Sequence, residues 1–363
     1  MPDATVIPLH PQEPEPLSPS KAARRAGNTG PQPKKPRTRS QGTGAAGVGT
    51  SGKGSTGAKK ARSAKSVPLP PPPPPPQNSQ ADNGGELGAW LEEAFAFIQR
   101  RLRGDYAVDE FGFDPELNDK VLMALMRPLY QSWFRVEVSG LEQVPAQGGA
   151  LVVANHSGTI PFDAVMTQVA LLDDHPAHRH LRMLGANLVF ATPFVSELAR
   201  ASGHTLACHP DAELLLGRGE LVGVWPEGFK GIGKPFSERY KLQRFGRGGF
   251  VAAAVKAKVP IIPTAIVGAE EIYPMIGESK VLARLLGLPY FPVTPTFPLL
   301  GPLGLVPLPS KWYIHFGEPI STEDLPEQAA EDPMILFNLT DQVREQIQQS
   351  IYRLLMQRPS VFG

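Results

Sequence analysis

The chain has 363 residues and a nearly balanced charge, with 36 Lys and Arg against 35 Asp and Glu. The first 85 residues hold twelve of the basic and four of the acidic residues, which leaves 24 basic and 31 acidic residues on an acidic body. Its single cysteine, Cys208, excludes an intramolecular disulfide and favours a reducing compartment.

Residues 1–85 are predicted to be a disordered basic and proline-rich tail. Pro, Gly, Ser, Ala, Lys and Arg dominate it, residues 21–65 carry twelve cations and no anion, and residues 70–76 are all proline. The first ten residues have neither a basic nor an apolar leader region, so we expect no secretory signal.

Residues 86–134 are predicted to form two amphipathic helices. Apolar residues recur at helical spacing from Leu87 to Leu102. Asp114 is placed as the N-cap of the second helix, with Pro115 at its first position. Both helices are rich in large apolar residues, and they are expected either to cover a sheet or to lie on a membrane.

Residues 135–363 alternate short β-rich runs with helical segments, which predicts an α/β fold with a largely parallel central sheet flanked by helices. Helices are expected to begin near Asp163, Pro193, Asp211 and Gly249, and a last one to run over 333–356. The window 285–310 has no charge but seven prolines, which argues against a membrane-spanning helix. The predicted strands are 135–139, 150–154, 181–184, 205–208, 221–225, 261–267 and 312–316.

The first motif runs from the apolar strand 151–154 through Asn155, His156 and Ser157 to Asp163. A histidine at a strand end suits a general base near neutral pH, and a nearby carboxylate would hold its tautomer. The alternative is a loop histidine followed by an aspartate that only caps a helix.

The second motif follows the strand 221–225 and contains Glu227, Gly228 and Lys230. Gly228 would let the backbone approach a ligand, and Glu227 would hydrogen-bond hydroxyl groups. Lys230 opens a basic stretch that would bind an anionic group, although a solvated loop remains the alternative. The other cations of the stretch are Lys234, Arg239, Lys241, Arg244 and Arg247.

No metal site is expected. His175, His178 and His180 lie close together in the sequence, but no cysteine joins them, and zinc sites usually combine two separated ligand pairs. Cys208 follows a short apolar run and is interpreted as a small core residue rather than a nucleophile.

The ordered set of both motifs, followed by Val-Pro-Ile-Ile-Pro at 259–263, resembles the glycerophospholipid and lysophospholipid acyltransferase superfamily over residues 135–270. The resemblance implies that His156 deprotonates the acceptor hydroxyl and that Asp163 orients it. The substrate-binding residues are then expected to be Asn155, Ser157, Glu227, Gly228 and Lys230.

Three departures from the family pattern bear on the acceptor. Six residues separate His156 from Asp163, where the family has four. Phe229 and Lys230 replace the family's Thr-Arg, and no arginine occurs in 203–209, where the family places a phosphate-binding one. A neutral acceptor such as diacylglycerol is therefore an open alternative.

The predicted function is acyl transfer from an acyl thioester, either acyl-CoA or acyl-carrier protein, to a glycerolipid hydroxyl, such as that of a lysophospholipid or lysophosphatidic acid. The alternatives are a neutral acceptor or a non-catalytic membrane adaptor with the same fold. No cofactor is expected, since the thioester is already activated. The expected location is cytoplasmic and peripheral on the membrane, with the tail drawn to anionic lipid. No nucleic-acid partner is expected, although polycations alone discriminate poorly.

Overall fold

The computed structural model describes residues 83–158, 160–246, 248–288 and 290–363. The first helix already begins at Asn83, so the predicted tail boundary at residue 85 is three residues late. The rest of the predicted tail, residues 1–82, lies outside the described residues.

The two predicted N-terminal helices are present as α1 (Asn83–Arg103) and a helical stretch from Pro115 to Trp133. Asp114 caps the second helix as predicted, because its carboxylate accepts a hydrogen bond from Leu117 N at 3.0 Å. Arg101 of α1 donates to the same carboxylate at 2.7 Å, which ties the two helices together. The stretch comprises α2 (Pro115–Leu117), a π-helical turn (Asn118–Met123), α3 (Ala124–Pro128) and a second π-helical turn (Leu129–Trp133).

The second helix has a buried face and an exposed apolar face. Met123 and Tyr130 are buried in the core, which confirms that the helix covers the sheet. Leu125 on this helix and Phe95 and Leu102 on α1 are exposed. Contact of these exposed residues with a membrane stays a prediction.

Each of the seven predicted strand runs overlaps a strand of one seven-stranded sheet, which confirms the predicted fold class. The strands are β1 (Glu137–Ser139), β2 (Ala150–Ala154), β3 (Leu181–Gly185), β4 (His204–Leu206), β5 (Leu221–Val224), β6 (Ile261–Val267) and β9 (Tyr313–Phe316). They lie in the order β1-β9-β6-β2-β5-β3-β4, and only the β6–β9 pairing within this sheet is antiparallel.

The helices that flank this sheet are α4 (Phe162–Val169), α5 (Asn187–Ala191), α6 (Val195–Ala201), α7 (His209–Gly217), α8 (Phe229–Ile232), α9 (Gly249–Ala257), α10 (Lys280–Leu286) and α11 (Pro333–Gln357). Of these, α4, α6, α7, α9 and α11 begin within about two residues of the predicted positions, whereas α5, α8 and α10 were not predicted. A π-helical turn (Ala170–Asp174) extends α4. Short 3-10 turns occupy Leu141–Gln143, Phe236–Glu238, Ala269–Glu271, Gly301–Leu305 and Glu327–Ala330.

Alternate residues of the central strand β2 enter two separate cores. Leu151 and Val153 pack with residues of α7, α9 and α11, whereas Val152 and Ala154 pack with residues of α4. All five residues of β2 are fully buried, as expected for a parallel strand covered on both faces. This burial fixes the end of β2 and the residues that follow it.

The segment between β6 and β9 leaves the sheet and carries α10 and a small antiparallel pair, β7 (Gly277–Glu278) with β8 (Pro292–Val293). The uncharged window 285–310 lies in this excursion. Among the described residues, no helix is both long and apolar enough to cross a membrane.

Candidate active site

The site forms at one edge of the sheet, where the parallel strands β2, β5 and β6 end side by side. The loops that follow these three strands carry the first motif, the second motif and the turn Ala269–Glu271. Carboxyl ends of parallel strands are the usual position of ligand sites in open α/β sheets.

His156 and Asp163 are brought into direct contact. His156 Nδ1 lies 2.7 Å from Asp163 Oδ2, and the aspartate side chain is fully buried while the histidine keeps 19% of its surface exposed. Because a carboxylate only accepts hydrogen bonds, Nδ1 carries the proton and the lone pair lies on Nε2. The arrangement suits a general base that acts through Nε2 while the carboxylate at Nδ1 fixes its tautomer.

Asp163 is held in place by backbone groups as well. It is the second residue of α4, and its Oδ2 also accepts from Ser157 N at 2.9 Å. The positive end of the helix dipole favours the charged carboxylate there. The longer loop turns at Gly158, whose φ of +77° suits glycine, so the six-residue spacing still permits the contact.

Asn155 has a structural position, which corrects the expectation that it binds substrate. Its side chain is fully buried and pairs with the backbone of Ile266 in β6, donating to the carbonyl at 2.9 Å and accepting from the amide at 2.8 Å. The amide group therefore ties the end of β2 to β6 and does not reach a ligand.

Glu227 is likewise turned away from any ligand, which corrects its expected role in binding hydroxyl groups. Its Oε1 accepts from the backbone N–H of His156 at 3.0 Å, and its Oε2 accepts from Gln243 N at 2.6 Å. The side chain is fully buried. Glu227 thus positions the backbone of His156.

A large cavity of about 670 Å³ opens in front of His156. Ser157 and Gly228 line it, and Ser157 Oγ has no hydrogen-bond partner among the described residues. Their contact with substrate stays a prediction. Most of its wall is apolar, from α4, α5, α6, α8 and the excursion between β6 and β9. Such a wall suits hydrocarbon chains better than a polar metabolite.

Lys230 is exposed and is not among the residues that line this wall, so its expected role in substrate binding stays a prediction. Lys234, four residues later, is buried and lines the cavity. Arg239 also lines it and stacks on Phe236, with the guanidinium carbon 4.4 Å from the ring centre. These two are the cavity-lining cations in the described part of the chain.

His204 lies in the cavity wall at the start of β4, in the region that lacks the family's arginine. Its Nδ1 lies 3.0 Å from Ser202 Oγ, and burial lowers the pKa of His204 to about 4. At neutral pH this part of the wall is therefore polar but uncharged.

Sequence reasoning missed Glu270, Tyr273 and Phe297, which line the cavity from the segment after β6. Burial raises the pKa of Tyr273 to about 12, and its hydroxyl donates to the carbonyl of Leu305. The sequence did contain a signal for Glu270. Glu270 and Glu271 come within four residues of the end of β6, much as His156 and Glu227 come soon after β2 and β5.

Two of the three histidines considered for metal binding make ordinary hydrogen bonds, and Nδ1 of the third, His180, is buried without a hydrogen-bond partner among the described residues. His175 Nε2 donates to Val144 O at 3.0 Å, and His178 Nδ1 donates to Leu172 O at 2.8 Å. No group of three potential metal ligands is found in the portion of the chain that the structure describes.

The chain is similar to several known proteins. The family model described as Acyltransferase matches residues 135–267. An uncharacterized protein of Mycobacterium bovis is 59% identical over 277 residues, covering 76% of this chain and 77% of that protein. The human DGAT1/2-independent enzyme synthesizing storage lipids is 29% identical over 203 residues, 55% of this chain and 57% of its own. The crystal structure of the 1-acyl-sn-glycerophosphate acyltransferase PlsC from Thermotoga maritima has a TM-score of 0.45 and 20% identity, covering 66% of this chain and 80% of that one.

Proposed function

Since the chain belongs to the acyltransferase family, within the phospholipid/glycerol acyltransferase superfamily, we propose that it moves an acyl group from an acyl thioester to the hydroxyl of a lipid acceptor. One observation carries the proposal: His156, hydrogen-bonded to the buried Asp163, lies in the wall of a large apolar cavity. A non-catalytic adaptor would not need this pair.

In the proposed reaction, His156 Nε2 takes the proton of the acceptor hydroxyl as its oxygen attacks the thioester carbonyl carbon. A carbon–oxygen bond forms, and the carbonyl becomes a tetrahedral oxyanion. When the oxyanion collapses, the carbon–sulfur bond breaks, and the imidazolium returns the proton to the leaving thiolate. Asp163 stabilises the imidazolium in between.

Two residues position the base without touching substrate. Glu227 accepts a hydrogen bond from the backbone N–H of His156. The side chain of Asn155, the residue before His156, bonds to the backbone of Ile266 in β6. The proposed reaction needs no resident cofactor, because the thioester supplies the activated acyl group. Acyl-CoA and acyl-carrier protein are both suitable carriers.

A neutral glycerolipid, such as diacylglycerol, is the proposed acceptor. The cavity wall is mostly apolar, and its buried cation Lys234 is paired with carboxylates. The name of the human relative describes an enzyme that synthesizes storage lipids, which supports the same class of acceptor.

A phosphorylated acceptor is the second candidate, and Arg239 is the observation that favours it. Its side chain is exposed, lines the cavity and forms no ion pair with any carboxylate that the structure describes. A lysophosphatidic acid would place its phosphate at this arginine.

We further propose that the cavity opens toward a membrane, on the cytoplasmic side. Several apolar side chains both line the cavity and are exposed: Leu188, Val195, Leu198, Phe229, Leu288 and Leu305. We call these six the mouth residues. Exposed apolar patches of this kind are typical of lipid or protein contact surfaces.

The proposal is tested by incubating purified protein with acyl thioesters and mixed lipid acceptors and identifying products by mass spectrometry. We expect a new ester on neutral glycerolipids in preference to phosphorylated ones. If Arg239→Ala abolishes product from phosphorylated acceptors that the wild type prefers, the second candidate replaces the first. If no acceptor is acylated while the protein still binds vesicles, the adaptor interpretation is correct.

A further inference from the structure

Three charged side chains are buried together beside the cavity: Glu227, Lys234 and Glu270. Lys234 Nζ donates to Glu270 Oε1 at 3.0 Å and to the carbonyl of Lys241 at 3.2 Å, and it lies 3.4 Å from Glu227 Oε2. The three side chains are between 0 and 5% exposed. We call them the charge cluster.

The ammonium of Lys234 is surrounded by protein acceptors. It donates two of its three N–H groups, to Glu270 Oε1 and to the carbonyl of Lys241, and Glu227 Oε2 lies 3.4 Å away as an ion-pair partner. Glu270 is itself held, because its Oε2 accepts from Tyr240 N at 3.0 Å. A lysine that lines a substrate cavity is thus neutralised by its own neighbours.

The charge cluster carries one net negative charge when all three groups are ionised. Burial raises the pKa of Glu270 to about 7, opposed by the positive charge of Lys234 and increased by the negative charge of Glu227. The other charged groups nearby have partners of their own. Glu271 pairs with Arg358, just after α11, Arg239 stacks on Phe236, and His156 bonds to Asp163.

We propose that Glu270 is a specificity-determining residue, which neutralises Lys234 so that the cavity wall accepts neutral glycerolipids and rejects phosphorylated ones. The argument rests on the proposed function for the identity of the ligands. A phosphate brought to the charge cluster meets one net negative charge and an ammonium already paired with carboxylates, so it loses hydration without gaining a partner. Without the Glu270 carboxylate the cluster has no net negative charge and no longer repels an anion.

The test compares the binding of two short-chain probes, 1-acylglycerol and the same lipid carrying a phosphate methyl diester. The diester keeps one charge between pH 6 and pH 8, unlike a phosphate monoester, whose second pKa is about 6. Dissociation constants are measured by calorimetry for the wild type and for Glu270→Gln, with Glu278→Gln as the control. Glu278 is an exposed carboxylate outside the cavity wall.

At pH 8 we expect Glu270→Gln to bind the diester about tenfold or more tightly than the wild type does, because one buried negative charge is removed. Affinity for the neutral probe should stay within about twofold in both variants. The double variant Lys234→Met/Glu270→Gln should lose the gain, since the ammonium is then absent. Unchanged discrimination in Glu270→Gln, or a gain that survives in the double variant, would overturn the proposal.

A pH series on the wild type gives an independent answer if the variants fold poorly. Relative affinity for the diester should fall as the pH rises from 6 to 8, as Glu270 ionises. A folded Glu270→Gln protein, in which the fall should be smaller, identifies Glu270 as the responsible group. A flat wild-type series contradicts the proposal. Because binding is measured without turnover, these outcomes remain decisive even if no acceptor is acylated, a result that would refute only the proposed function.

Discussion

At the scale of single residues, the site depends on carboxylates that hold His156 from two directions. Asp163 holds the ring and Glu227 holds the backbone, at 2.7 Å and 3.0 Å. A general base gains from such fixation, because small displacements of the reacting groups are costly in rate.

Replacing Asp163 with Asn separates catalysis from helix capping. If the amide oxygen replaces Oδ2, the amide NH2 group faces Ala164 N, which donates to Oδ1 at 2.9 Å, so the asparagine cannot make all three contacts of the carboxylate, and it lacks the negative charge that stabilises the imidazolium. We expect turnover to fall about 100-fold or more with little change in the acceptor's Michaelis constant. If turnover stays near wild type and only the melting temperature falls, Asp163 acts as a structural residue alone.

The sequence predicted which residues lie near the base, but not which way their side chains point. Asn155, Glu227 and Lys230 all adjoin strand ends, and that adjacency is visible in the sequence. The direction of each side chain depends on partners far along the chain: Ile266 for Asn155 and Gln243 for Glu227. Glu270 joins them only through the pairing of β2 with β6.

At the scale of secondary-structure elements, the short helix α8 supports the catalytic loop through a close contact. A Cβ atom at Gly231 would lie 2.7 Å from the Cβ of Glu227 and 2.9 Å from the carbonyl oxygen of His156. The carbonyl oxygen belongs to the backbone and the Cβ is bonded directly to it, so neither atom can move aside as the end of a flexible side chain would. This position therefore requires glycine.

We expect Gly231→Ala to lower both turnover and the melting temperature, by displacing the backbone of His156 at a cost of about 1–3 kcal/mol. The control is Gly217→Ala at the end of α7, where no atom lies within 4 Å of the added carbon. That change should leave activity intact and keep or slightly raise stability, because alanine favours helix more than glycine. Equal behaviour of both variants would contradict the packing argument.

Elements with strong apolar patterns were predictable, and the excursion after β6 was not. The strands β2 and β6 are continuous apolar runs, fully buried on both faces. The strands β7 and β8 have two residues each in a proline-rich segment, too short for any periodicity to show. From the sequence, this segment was recognised only as an uncharged window rich in proline. In the structure, its residues Phe297 and Leu305 line the cavity.

At the scale of the whole molecule, the cavity mouth and its surroundings are strongly apolar. Phe194, between α5 and α6, is 85% exposed at a φ of +64°, and Leu303 of the excursion is 72% exposed. They lie in the same two segments as most of the mouth residues. The attraction of the basic stretch 21–65 to anionic lipid stays a prediction, since those residues are outside the described part of the chain.

We expect the double variant Phe194→Ser/Leu303→Ser to bind vesicles about tenfold more weakly, because each large apolar side chain gains up to about 1.5–3 kcal/mol when buried. The control is Met356→Ser near the end of α11, where the side chain is 89% exposed but does not line the cavity. Sedimentation with neutral vesicles at high salt removes any contribution from the tail. Undiminished binding of the double variant would place the membrane contact on another surface.

The central claim, that His156 is the general base of an acyl transfer, is tested most directly by product formation in His156→Ala. Labelled acyl thioester and diacylglycerol are incubated with wild type, with His156→Ala, and with His209→Ala, an exposed histidine outside the cavity wall. The labelled ester is quantified by mass spectrometry, and the melting temperature of each protein is recorded. We predict a loss of about 100- to 10,000-fold in His156→Ala alone, with its fold retained. Wild-type turnover in folded His156→Ala would contradict the account.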